Sequence, residues 1–191
     1  MKEYATILDA TAGNRMIWQN KDSPYILFID IEPNLEFPPD RVLDCTNTDL
    51  PDESFNVVFF DPPHAYSNRN SLQRWHSCRN KEELKEFNEK YGLKYDGLAY
   101  YGEDKLHNKQ ELLIFIHKSQ KEFLRILKPD GMLWFKWSEM KIPLSTIMPF
   151  FKGWILKLKF HIASPHQTAG KSKAFWLMFM KSAEFTNKEG S

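Results

Sequence analysis

Four apolar runs in the first sixty residues are separated by polar turns, and an aspartate stands at the end of each run. Apolar side chains occupy consecutive positions in these runs, which predicts strands that are buried on both faces. The runs cover residues 5–9, 25–30, 42–45 and 55–61. Their aspartates are Asp9, Asp30, Asp44 and Asp61. In a parallel sheet these four carboxylates would lie along one edge, where open α/β sheets bind ligands.

The second half of the chain predicts two helices and three more strands. Residues 110–127 place apolar side chains at helical spacing, and Pro129-Asp130-Gly131 is expected to end that helix. A buried strand over 132–137 and a short helix over 143–151 follow. Residues 155–163 and 174–180 then predict an antiparallel pair that closes one edge of the sheet. Alternating strands and helices of this kind predict an α/β fold.

Length and loop spacing indicate one domain with one long insertion. The chain has 191 residues, and we predict a single domain over residues 1–181 followed by a polar tail over 182–191. Residues 65–107 form a connection of about forty residues, which is long for a compact domain. Basic and aromatic side chains alternate within it, so we interpret it as a lid or substrate-recognition segment. The alternative is a small cluster that packs on the sheet.

Composition limits the class of protein further. Hydrophobic residues make up 42% of the chain, charged residues 27%, and the net charge is +1, so the whole chain has no basic excess. The two cysteines, Cys45 and Cys78, form neither a disulfide framework nor a zinc-binding pattern. No segment resembles a signal peptide or a membrane span. We therefore expect a cytoplasmic protein with no membrane association and no metal.

Two segments at the predicted strand ends carry candidate chemistry for a nucleotide-like ligand. Small residues surround Gly13 after the first strand, and they would let a ligand approach the backbone closely. The alternative is an ordinary turn into a helix. Asp30 follows Gly13 at about the spacing of an acid that binds a ribose hydroxyl. Glu32 competes for that role, and a solvated turn aspartate is the alternative for Asp30.

The fourth run ends in Asp61-Pro62-Pro63-His64. Two prolines cannot continue a strand, so a carboxylate, a stiff turn and an aromatic ring are presented together at its end. His64 could instead bind a metal, but no second ligand lies at a suitable spacing.

These motifs resemble those of a known enzyme family. Residues 8–13, Leu-Asp-Ala-Thr-Ala-Gly, resemble the first motif of class I S-adenosylmethionine-dependent methyltransferases. Asp30 resembles their ribose-binding acid and Asp44 their residue near the adenine. Residues 61–64 resemble the Asp/Asn/Ser-Pro-Pro-aromatic motif of enzymes that methylate exocyclic amino nitrogens of nucleobases. The overall pattern is also similar to small phage and bacterial methyltransferase-like proteins.

The resemblance implies a Rossmann-like fold: a mostly parallel seven-stranded sheet with an antiparallel C-terminal hairpin strand and helices on both faces. It implies S-adenosyl-L-methionine as cofactor. The implied cofactor-binding residues are Asp9, Ala10, Thr11, Ala12, Gly13, Arg15, Asp30, Ile31, Asp44, Cys45 and Asp61. The implied catalytic residues are Asp61, Pro62, Pro63 and His64.

The implied substrate is a nucleic acid, DNA ahead of RNA, methylated at an amino nitrogen of the N6-adenine or N4-cytosine type. A base in a duplex would have to be flipped out of the helix, or the base would be met in a single strand. Two alternatives remain open: a cofactor-binding protein without catalysis, and a methyltransferase for a small molecule or a protein side chain.

Overall fold

A computed structural model describes residues 2, 4–64, 109–162 and 173–183. The predicted insertion over 65–107 lies outside the described residues, as does the tail beyond Ala183, and both stay predictions. The strands are β1 (Ile7–Asp9), β2 (Ile26–Asp30), β3 (Arg41–Val42), β4 (Phe55–Phe60), β5 (Leu127–Ser138), β6 (Trp154–Ile162) and β7 (Ala174–Lys181). The helices are α1 (Lys109–Ile126) and α2 (Leu144–Ile147), and a 3₁₀ turn (Met148–Phe150) follows α2.

The strands form one seven-stranded sheet in the order β3-β2-β1-β4-β5-β7-β6. The pairings among β1 to β5 are parallel, whereas β7 runs antiparallel to both β5 and β6. The predicted fold class is therefore confirmed. The strand order reverses between β1 and β4, and such a reversal opens a crevice at the carboxyl ends of the two strands.

One face of the sheet carries the main core. Leu8 of β1, Val58 of β4 and Leu133 of β5 are fully buried there. Helix α1 covers them because its apolar side chains recur at helical spacing, and Ile116 and Phe123 are fully buried in the same cluster. Leu144 and Ile147 of α2 join this cluster as well, so both described helices pack into one core.

Helices were predicted on both faces; within the described residues, α1 and α2 pack into the core on one face, and the prediction for the second face stays a prediction. The connections between β1 and β4 are turns, and Trp18 packs edge-on against Phe28 on the second face, with ring centroids 6.1 Å apart. The connection from β2 to β3 contains Pro33, Pro38 and Pro39, which remove amide donors that a helix needs.

The observed ends of β3 and α1 also differ from the predicted ones. Strand β3 ends at Val42, so Asp44 stands two residues beyond it. Helix α1 ends at Ile126, and Pro129-Asp130-Gly131 lies within the span of β5, where the pairing with β4 is irregular between Phe55 and Val57. A Cβ on Gly131 would lie 2.8 Å from Leu127 Cδ2 and 3.0 and 3.2 Å from the carbonyl oxygens of Lys128 and Asn56, so a larger residue would require these neighbours to shift.

A buried acid fastens α1 to the connection before β4. Glu122 is 8% exposed and accepts hydrogen bonds from the amide (2.9 Å) and hydroxyl (2.5 Å) of Thr48 and from Arg125. Burial opposes the charge of Glu122, but the hydrogen bonds from Arg125 and Thr48 outweigh it and lower its pKa.

Glu122→Gln is expected to lower the free energy of unfolding by about 1–3 kcal/mol, because it weakens the bond to Arg125 and turns an amide donor toward Thr48. Urea denaturation at neutral pH measures the change, with the exposed Glu36→Gln as control. The difference in free energy of unfolding between Glu122→Gln and the unaltered protein should become smaller at acid pH, where Glu122 of the unaltered protein is protonated. Equal stability of the two variants at neutral pH would contradict the prediction.

Candidate functional site

The loop after β1 lies across the ends of its two neighbouring strands. The amide of Ala10 donates to the carbonyl of Phe59 in β4 (2.9 Å), and the amide of Ala12 donates to the carbonyl of Ile29 in β2 (3.0 Å). Both alanine side chains are buried. Larger side chains would not fit, which explains the run of small residues in this loop.

Asp30 closes this loop from the end of β2. Its Oδ2 accepts a hydrogen bond from the amide of Gly13 (2.9 Å), and its Oδ1 accepts one from the amide of Glu32 (2.9 Å). Gly13 has a φ of +47°, a conformation that favours glycine, and a Cβ there would meet nothing within 4 Å. Open space therefore lies beside the backbone at Gly13, and the side chain of Ile31 next to Asp30 is 38% exposed.

Asp9 is the most buried acid of the group, at 2% exposure. Its Oδ2 accepts a hydrogen bond from Trp18 Nε1 (2.7 Å) and its Oδ1 accepts one from the amide of Thr11 (3.3 Å). Burial raises the pKa of Asp9 to about 7; these two hydrogen bonds oppose the rise, and the charges of Asp61 and Asp30 add to it. The three carboxylates are thus close enough to influence one another.

Asp61 is joined to the loop after β1 and to two basic side chains. Its amide donates to Thr11 Oγ1 (2.9 Å). Its Oδ2 lies 2.6 Å from Lys136 Nζ, and its Oδ1 lies 3.2 Å from His64 Nε2. Burial raises the pKa of Asp61, but His64 and Lys136 outweigh burial and bring the pKa below its usual value. This carboxylate is therefore ionised at neutral pH.

The turn after Asp61 fixes the ring of His64. Pro62 is buried and Pro63 half-buried. The imidazole packs edge-on against Trp137, with ring centroids 5.5 Å apart. Its Nδ1 is buried and has no hydrogen-bond partner among the residues that the structure describes. A buried ring nitrogen without a partner is costly, and a bound ligand could supply that partner.

Asp44 and Cys45, two of the predicted cofactor residues, form no hydrogen bond to the loop after β1 in the described part of the chain. Asp44 is exposed, and its Oδ1 accepts a hydrogen bond from the amide of Thr46 (2.8 Å). The thiol of Cys45 lies in the core against Ser119 (3.5 Å), and burial raises its pKa to about 12. We therefore leave the Cys45 side chain out of the proposed site and keep Asp44 as a candidate at the crevice rim.

The side chain of Arg15 makes contacts within the fold. Its guanidinium donates to the carbonyl oxygens of Lys21 and Pro38 and stacks 4.0 Å from the ring centroid of Phe28. Asp22 and Asp40 lie 3.5 and 3.9 Å from its nitrogens. These polar partners lie in the β1–β2 and β2–β3 connections and hold the side chain between them, so we also leave Arg15 out of the proposed site.

Two residues at the site were not predicted. Lys136 has a recognisable signal, since it is the one charged residue in the apolar run over 132–137 of β5. Trp18 has none, because its bond to Asp9 depends on how the turns between β1 and β2 are folded.

Among the described residues, no group of three or more His, Cys, Asp or Glu side chains could hold a metal ion. No helix in the described part of the chain is long and apolar enough to cross a membrane.

Comparison with known proteins supports the fold. No family model and no curated protein matches the sequence. A TehB-like S-adenosylmethionine-dependent methyltransferase from Corynebacterium glutamicum is similar at a TM-score of 0.51 and 14% identity, over 94% of this chain and 81% of its own. A Pyrococcus horikoshii protein is similar at a TM-score of 0.52 and 12% identity, over 95% of this chain and 84% of its own. A geranyl diphosphate methyltransferase bound to GPP and sinefungin is similar at a TM-score of 0.51 and 8% identity, over 93% of this chain and 72% of its own. The chain thus has the Rossmann-like fold of class I methyltransferases.

Proposed function

We propose that this protein is an S-adenosyl-L-methionine-dependent methyltransferase that acts on an exocyclic amino nitrogen of a nucleobase, of the N6-adenine or N4-cytosine type, in DNA ahead of RNA. One observation carries the proposal. The hydrogen bond from the Asp61 amide to Thr11 Oγ1 joins the Asp-Pro-Pro-His turn to the loop after β1. This contact supports the proposal that the cofactor and the acceptor base bind side by side.

The chemistry of the crevice suits this cofactor. The carboxyl groups of Asp9, Asp30 and Asp61 influence one another there, and a ligand that carries a sulfonium and an ammonium group would favour their ionised forms. The space beside Gly13 admits a ligand close to the backbone. The residues that we propose hold the cofactor are Asp9, Ala10, Thr11, Ala12, Gly13, Asp30, Ile31, Asp44 and Asp61. When bound, it supplies an activated methyl group.

Asp61 is the proposed acceptor for the amino hydrogens of the base. An ionised carboxylate has about four lone-pair positions, and Lys136 and His64 leave room for a further hydrogen bond. The carbonyl of Pro62 is a second acceptor in the same turn. Hydrogen bonds to these oxygens would return lone-pair density to a delocalised amino nitrogen and fix its approach, which is mainly a gain from positioning.

His64 is proposed to stack on the face of the acceptor base, and its ring packs edge-on against Trp137. The unpartnered Nδ1 gives the ring a polar atom for the same ligand. A paired base cannot reach this turn without leaving its helix, at a cost of about a few kcal/mol, so single-stranded or flipped bases are the expected substrates.

Cofactor affinity is expected to rise from about pH 6 to about pH 8 and then level off. Asp9 in the free protein ionises near pH 7, and a cationic ligand favours its ionised form. Binding then lowers the pKa and releases a proton, so below pH 7 the affinity gains up to about tenfold per pH unit. Calorimetry in two buffers of different ionisation enthalpy measures the proton release. Asp9→Asn should abolish the proton release. Proton release that persists in this variant would contradict the assignment of the released proton to Asp9.

The activity is tested by transfer of a tritiated methyl group to a panel of DNA and RNA oligonucleotides, followed by nucleoside analysis. The expected product is N6-methyladenine or N4-methylcytosine. Cofactor binding without transfer to any nucleic acid would favour the alternative of a non-catalytic binding protein. Transfer to a small molecule or protein alone would overturn the nucleobase assignment.

A further inference from the structure

Positive charge is concentrated in the last quarter of the chain. Of the 26 lysines and arginines, seven lysines lie in residues 140–183, and none of the 25 aspartates and glutamates does. This segment therefore carries a charge of +7 in a chain whose net charge is +1. A local field of this sign attracts polyanions, although the whole molecule is nearly neutral.

The fold places one described part of this segment, strand β6, at an edge of the sheet. Strand β6 is the edge strand, and its side chains are exposed from Ile155 to His161. Lys157 and Lys159 alternate with Leu158 (44% exposed) and Phe160 (51% exposed). Within the described residues, no carboxylate forms an ion pair with either lysine. Lys159 Nζ also lies 4.2 Å from the centroid of the Phe175 ring, on the face of β6 opposite to Phe160, because successive side chains of a strand point to opposite faces. A nucleic-acid strand that follows this edge would therefore meet the lysine charges on one face of β6 and the Phe160 ring on the other.

A row of side chains connects this edge to the proposed acceptor site. Phe160 of β6 pairs with Trp176 of β7, and Trp176 pairs with Lys136 of β5. The Phe160 ring stacks on Trp134 (6.1 Å between centroids, 14° between planes), and Lys136 Nζ lies 5.9 Å from the centroid of Trp176. Lys136 in turn contacts Asp61. Exposed aromatic surface at β6 is therefore continuous with the turn that we propose receives the base.

We propose that the β6–β7 edge binds the single DNA strand that carries the acceptor base, with lysines along its phosphates and Phe160 stacking on a neighbouring base. This inference rests on the proposed function and extends it to the substrate surface. Interleaved lysines and an aromatic ring fit such a strand better than a protein partner, because protein interfaces are depleted of lysine at their cores. A second copy would bring two strongly positive surfaces together.

Fluorescence anisotropy with a fluorescein-labelled oligothymidylate, using the full chain without cofactor, tests the proposal. Lys157→Gln/Lys159→Gln should weaken binding at low salt by about tenfold or more. It should also reduce the slope of log affinity against log salt by about 1.4, since each phosphate contact on a single strand contributes about 0.7. The matched control is Lys118→Gln/Lys121→Gln, which removes two exposed lysines from α1.

Phe160→Ala should weaken binding by about fivefold or more through loss of stacking. Ile155→Ala, which removes an exposed aliphatic side chain from the same strand, should leave binding nearly unchanged. A Lys157/Lys159 variant that binds the oligonucleotide like the unaltered protein would overturn the inference.

The outcomes separate this inference from the proposed function. Binding of the oligothymidylate is measured without turnover, so a protein that binds DNA but never transfers methyl groups contradicts only the function. Methyl transfer that is unaffected by the β6 variants contradicts only the proposal that the β6–β7 edge binds the strand. Sedimentation that shows a dimer dissociating in Phe160→Ala, with strand binding intact, would assign the edge to self-association. Tighter binding of an equivalent RNA would overturn the choice of DNA.

Discussion

Asp61→Ala is expected to reduce methyl transfer by at least about a hundredfold and cofactor affinity by much less, because the other residues proposed to hold the cofactor remain. The variant loses the carboxylate that we propose accepts the amino hydrogens, and removing one preorganised hydrogen-bonding group from a reaction centre costs about this much. The backbone bond from residue 61 to Thr11 remains, because it uses the amide and not the side chain. Single-turnover methyl transfer measures the loss, and calorimetry measures cofactor binding.

The matched control for this variant is Asp49→Ala. Asp49 forms an ion pair with Arg41 at 2.6 Å, the same N–O separation as between Asp61 and Lys136, but at the protein surface. If both variants lost activity equally, the effect would come from broken ion pairs in general. Normal turnover in Asp61→Ala would show that the Asp-Pro-Pro-His turn is not the acceptor site.

Asp30→Ala is expected to weaken cofactor binding by about ten- to hundredfold. Its carboxylate is the proposed ribose-binding group, and it also holds the amide of Gly13 at 2.9 Å. Losing hydrogen bonds to a charged group costs about 1.5–3 kcal/mol, which corresponds to this range. Titration calorimetry with S-adenosyl-L-homocysteine measures the change without turnover.

Glu32→Ala is the control for Asp30→Ala, because Glu32 is the neighbouring acid that could compete for the same role. Its carboxylate accepts a hydrogen bond from the amide of Asn34 at 3.0 Å, two residues further along the chain. A large loss in Glu32→Ala with an unchanged affinity in Asp30→Ala would transfer the ribose role to Glu32. Thermal denaturation of both variants separates a binding defect from a folding defect.

Strand positions were predictable because the signal is local. Four consecutive apolar residues of β2 are buried, and β4 is apolar at every position except Asn56, so such runs can be recognised without knowledge of their partners. Helix α1 was predictable for the same reason, through its own periodicity. The missing helices before β4 were harder, because a turn segment such as that around Trp18 can cover a sheet face as a helix does.

The sequence by itself determined that aspartates stand at the ends of successive strands and that a stiff Asp-Pro-Pro-His turn follows β4. Only the tertiary structure decided what each group does there. It brought Lys136 to Asp61 across 75 positions of the chain, held Arg15 between the β1–β2 and β2–β3 connections and buried Cys45 in the core. It also raised the pKa of Asp9. The physical reason is that strand identity depends on neighbours in sequence, whereas charge, burial and hydrogen bonding depend on neighbours in space.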